Sequence, residues 1–171
     1  MDILKTANIW AKDEIFSSTF FILFGILFVL ATIGFWQLGK SEMARAFIFP
    51  SLVAGILLLI IGLGLVYTNK SRIKQFTNAY HQDAAAFVQE EFERAEKTIS
   101  EYQTVVFKII PIIIILAALL ILFIDKANWR AICITTLAMM SVILIIDSNA
   151  HARMVVYKKQ LELVKETDLK N

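Results

Sequence analysis

Four stretches of the chain hold almost nothing but apolar residues, and they come in two pairs. The first pair is 15–38, beginning "IFSSTFFILFGILFVL", and 46–67, "AFIFPSLVAGILLLIIGLGLVY". The second pair is 105–124, "VVFKIIPIIIILAALLILFI", and 129–148, whose apolar heart is "AICITTLAMMSVILII". A helix rises about 1.5 Å per residue, so about 20 apolar residues cross a hydrocarbon layer about 30 Å thick. The first three runs meet that length directly. The fourth meets it only if its helix takes in Asp147 and its neighbours. The pattern predicts an all-α integral membrane protein with four transmembrane helices, each pair joined by a short loop.

Residues 68–104, between the pairs, are polar but patterned. They contain no Gly or Pro, and apolar residues recur every eleven: Ile73, Ala84, Ala95 and Val106, with parallel rows Phe76/Phe87, Val88/Ile99 and Tyr80/Tyr102. Glu91 interrupts the last row. Eleven residues in three turns is helical spacing. Both ends of the segment must return to the membrane, so it either lies flat on the surface or doubles back, with "TNAYHQD" (77–83) the place to turn. Residues 82–101 carry six acids against Arg94 and Lys97, which favours projection away from an anionic leaflet.

The tail, 149–167, continues the fourth span as a helix. Asp147, Ala150, Met154, Tyr157, Leu161 and Val164 are spaced three and four apart and form one seam. Seam and stripe together give the candidate interaction surface: Ile73, Phe76, Tyr80, Phe87, Val88, Ile99, Tyr102, Met154, Tyr157, Leu161 and Val164. Either the two halves of this set cover one another, or one is bare for a partner. At the other end of the chain, Ile3, Leu4, Ala7, Trp10 and Ala11 predict a short amphipathic helix lying in the membrane interface before the first span.

Composition agrees with a membrane protein. Of 171 residues, 58% are apolar, and the mean hydropathy is +0.67. The first run is too long for a signal-peptide core, and Asp13 and Glu14 abut it. The net charge of +2 and the dispersed cations give no nucleic-acid footprint. Lys and Arg divide thirteen to four between the two sides of the membrane. That division places both termini and residues 68–104 in the cytoplasm of a cell whose inner membrane holds the protein.

Candidate chemistry is sparse. Asp147 and His151 are one helical turn apart and could form a relay or a catalytic pair, but they also sit where a span meets the interface. Lys108, early in the third span, could line a path for anions or extend to the interface. Pro111 removes a backbone bond and clashes with the Phe107 carbonyl, so it predicts a kink. Small residues (Ser18, Gly25 and Thr32; Ser51, Gly55 and Gly62; Ala131, Thr135, Ala138 and Ser141) mark helix contacts. The only histidines are His81 and His151 and the only cysteine is Cys133, so no metal set, disulfide, catalytic residue or cofactor motif is predicted. The expectation is a non-enzymatic inner-membrane protein acting through a protein partner or as a homo-oligomer, such as an accessory subunit or an immunity-type protein. A small oligomeric channel or transporter is the alternative, and a lipid enzyme using Asp147 and His151 a third.

Overall fold

The computed structural model describes residues 2–168. Among these it contains six α-helices: α1 (Ile3–Leu38), α2 (Glu42–Ala46), α3 (Ile48–Gln82), α4 (Ala84–Thr104), α5 (Ile110–Phe123) and α6 (Ala127–Asp168). Four helical stretches are long and apolar enough to cross a membrane. α1, α3, α4–α5 and α6 each supply one. Each also runs on past its apolar part at the same end of the bundle. The protein is therefore a membrane bundle topped by a second layer made from extensions of its own spans.

Local chemistry explains the helix boundaries. The Asp2 carboxylate accepts from the Lys5 N–H (3.0 Å) and starts α1. Ser41 accepts from the Ala44 N–H (3.1 Å) and starts α2 in the loop. The turn between the spans falls at Asp83, whose backbone is extended (φ −154°, ψ 103°) and whose carboxylate accepts from the Ala86 N–H (2.9 Å). Phe76 and Tyr80 then meet Phe87 edge-on, at 5.6 and 5.7 Å, and close the corner. Pro111 acts on the residues before it. Residues Val105–Ile109 form a π turn, in which the Ile110 N–H reaches back five residues to the Val105 carbonyl. The wide turn between α4 and α5 is how the helix accommodates a proline that would otherwise strike the carbonyl one turn earlier.

Inside the membrane α1 and α3 form the closest pair. The small residues singled out in these two helices, Ser18, Gly25, Thr32, Ser51, Gly55 and Gly62, are all buried. A Cβ added at Gly62 would lie 2.7 Å from Ile22 Cγ1 and 2.9 Å from the Ile22 backbone nitrogen. Gly62→Ala is therefore expected to force the helices apart at a cost of about 1–3 kcal/mol. Gly64→Ala meets nothing within 4 Å, so it should be neutral or stabilising by up to about 1 kcal/mol. Unfolding midpoints of the two variants in detergent check this; equal midpoints would mean the close approach contributes nothing. In α6, Ala131 and Thr135 are buried while Ala138 and Ser141 are exposed.

Two apolar cores result. The membrane core centres on Phe21, Leu58 and Ile146. The larger core lies in the second layer and joins Ile3, Ala7, Trp10 and Ala11 of α1 to Phe76, Phe87, Val88, Ala95, Met154, Tyr157 and Leu161. This corrects the expectation for residues 3–11. They do not form a separate helix on the membrane surface; α1 is unbroken, and its apolar stripe is covered by protein instead of lipid. The reason is register. Buried positions Ile3, Ala7, Trp10, Glu14, Ser18, Phe21 and Gly25 recur at three and four, so one face stays inward along the helix.

Candidate functional site, a charged belt beside an open groove

The candidate interaction surface is mostly interior. Phe76, Phe87, Val88, Met154, Tyr157 and Leu161 are buried in the second-layer core, and Ile73, Tyr80, Ile99 and Val164 pack against it. Tyr102 is half-buried, its ring edge-on to His151 at 5.9 Å. The tail seam and the stripe of α4 therefore cover one another, and these side chains offer no open docking face. Lys108 is exposed in the π turn.

Asp147 and His151 share a helix face, yet among the described residues no hydrogen bond or ion pair joins them. Each belongs to a different set of contacts. The His151 ring stands edge-on to Phe107 (5.1 Å) as well as Tyr102, and its Nε2 is buried with no hydrogen-bond partner. Asp147 is half-buried and feels the charge of Glu14 on α1.

Glu14 begins a belt of charge between the two cores. Arg153 Nε donates to Glu14 Oε1 at 3.0 Å and ties α6 to α1. Further out, Arg94 grips the buried Glu91 through two N–H groups, one at 2.8 Å, and the Tyr157 hydroxyl donates to the same carboxylate at 2.8 Å. Burial, then the Glu91 charge, push the Tyr157 pKa up, so the hydroxyl stays protonated and available to donate. Burial also works against the Arg94 charge, but the Glu91 hydrogen bond and charge outweigh it and the pKa rises. Trp10 stacks on Tyr157 (5.2 Å, 11° between planes), with the Arg94 guanidinium 4.6 Å from its ring centre. Arg72 lies between the parts: it donates to Asn69 Oδ1 (3.1 Å), sits 5.9 Å from Trp10, and feels both Glu14 and Glu91. Glu14 is thus paired with Arg153 and Glu91 with Arg94, while Arg72 feels both acids. Such pairing suits buried charge, because an uncompensated ion there costs several kcal/mol.

Sequence reasoning missed Glu14, Arg72, Glu91 and Arg94 as a set. A signal existed for two of them. Glu91 interrupts an otherwise apolar row, and Glu14 falls on the inward register of α1. A charged residue at a core position implies a partner, but the sequence does not say which.

Beside the belt α1 and α6 diverge into an open groove of about 400 Å³, whose walls include Ile9, Trp10, Asp13, Arg153, Val156 and Gln160. Ile9 and Val156 are 50% and 58% exposed and form apolar lips. Among the described residues no three His, Cys, Asp or Glu side chains gather where they could hold a metal ion. No family model, curated protein or solved structure matches the chain.

Proposed function

We propose that the chain is a non-enzymatic multi-pass protein of an inner membrane, both termini cytoplasmic, that works by holding a protein partner. An accessory subunit or an immunity-type protein fits this description. The observation that carries the reading is the groove between α1 and α6. Its base is tied by the Glu14–Arg153 pair, while its apolar lips, Ile9 and Val156, remain open. An open, mostly apolar cleft with a few polar groups suits a side chain or helix edge of another protein. The belt supports the same reading: the Glu91 carboxylate and its neighbours are engaged in holding helices together.

The test uses the full chain in mild detergent with a photoreactive residue in place of Gln160. One defined protein should crosslink and co-purify. Ile9→Glu and Val156→Glu, both at exposed positions, should abolish the complex without changing the helical content, whereas Asp147→Asn and His151→Ala should leave it intact. A lone species, or a complex that survives both lip substitutions, would contradict the reading.

A further inference from the structure

At the end of the bundle opposite the charged belt, three cavities adjoin. The outermost, about 450 Å³, is lined by Lys40, Glu42, Arg45, Ala46 and Asn128. The next, about 300 Å³, shares Arg45, Ala46 and Asn128 with it and continues to Phe49, Pro50 and Ile132. The innermost, about 220 Å³, shares Phe49, Pro50 and Ile132 and ends among Val53, Ala54, Thr135 and Met139. One path therefore leads from a charged mouth at the loops into an apolar slot between α3 and α6.

We propose that this path holds one anionic glycerophospholipid, its phosphate at Lys40 and Arg45 and an acyl chain in the α3–α6 slot. Charge points to the headgroup. The two short loops and their margins carry Lys40, Arg45, Lys126 and Arg130 against Glu42 and Asp125. Arg130 is paired with Asp125 at 3.0 Å. Among the described residues neither Lys40 nor Arg45 has a carboxylate partner; Arg45 Nε donates only to the Gly39 carbonyl, at 3.3 Å. The mouth thus presents two free cations to one acid, in the zone where lipid phosphates lie. Depth points to the chain. From Ile132 to Met139 is seven residues of helix, about 10 Å, against about 15 Å for half of a hydrocarbon layer. The slot takes the upper two thirds of a leaflet's depth, enough for the first part of an acyl chain. Its wall is apolar, and Ala54 and Thr135, both buried, are too short to fill it. An empty slot forfeits contacts along its lining, which an acyl chain restores.

The probe is the full-length protein in detergent, titrated with phosphatidylglycerol or phosphatidylcholine and read by native mass spectrometry. Retention of phosphatidylglycerol should exceed that of phosphatidylcholine by about tenfold or more. The preference should fall to near parity in Lys40→Gln/Arg45→Gln, whose exposed positions leave folding intact by circular dichroism. In vesicles, phosphatidylglycerol bearing a diazirine on its acyl chain should label residues 132–139, and Val53→Phe should block that label. Equal retention of the two lipids would overturn the proposal, as would label spread over the exposed face of α5. So would glycerol phosphate alone competing as well as the lipid, since the slot would then play no part.

Discussion

Glu91→Ala is expected to destabilise the second layer by roughly 3–5 kcal/mol, the cost of leaving one buried charge without its partner. Glu91 is 7% exposed and accepts from both Arg94 and the Tyr157 hydroxyl. Its removal strands a half-buried guanidinium and a buried donor together. The cost comes from what is left behind more than from the strength of the bonds lost. A compensating variant separates the two effects. Glu91→Met with Arg94→Leu and Tyr157→Phe removes every member of the set and replaces it with apolar volume, so most of the stability should return. Chemical unfolding in detergent reads both. A loss below about 1 kcal/mol in Glu91→Ala would mean that water already reaches the carboxylate, as at an exposed ion pair. The Lys158–Glu96 pair gives the internal comparison: the two meet at 2.9 Å, but the Glu96 side chain is 62% exposed, so Lys158→Ala should cost far less than Glu91→Ala.

How far this arrangement could be read in advance depends on the kind of signal each part leaves. The spans announce themselves because lipid demands an uninterrupted apolar length, which is visible in one dimension. The tail seam from Asp147 to Val164 and the eleven-residue rows before it are equally visible, since helical periodicity is local. The break at Asp83 falls in 77–83, the place to turn if the segment doubles back and does not lie flat, although no Gly or Pro marks it. What covers an apolar face is not local. Residues 3–11 carry the same pattern whether lipid or protein lies against them, and only the register continuing through Glu14, Ser18 and Phe21 distinguishes the two. Pairing is the hardest part to read. Arg153 is 139 positions from Glu14 and Tyr157 is 66 from Glu91. Those separations become contacts only once α1, α4 and α6 are placed side by side, and nothing in the spacing of charges along the chain encodes that. Asp147 and His151 stood out for the opposite reason. Their proximity in sequence is obvious, yet the side chains turn to different neighbours.

Trp10→Ala should cost as much as the loss of Glu91, about 3–5 kcal/mol, but the damage should appear elsewhere. Trp10 is 5% exposed and is the largest side chain that α1 contributes to the second-layer core. One ring joins three elements: Tyr157 of α6 stacks on it, and Arg94 of α4 and Arg72 of α3 lie near its centre. Its removal opens a cavity and ends both cation–π contacts, worth about 0.5–2 kcal/mol each. The membrane part of α1 is held independently by the glycine contacts with α3, so the first turns should detach while the span stays in place. Amide hydrogen exchange is the suitable measurement. Residues 3–13 should lose protection in Trp10→Ala, and residues 18–32 should keep theirs. Trp10→Phe supplies the control. The Trp10 Nε1 makes no hydrogen bond in the structure, so phenylalanine gives up ring area without stranding a partner and should retain most of the protection. Uniform loss across all of α1 in Trp10→Ala would instead show that the two cores unfold as one unit.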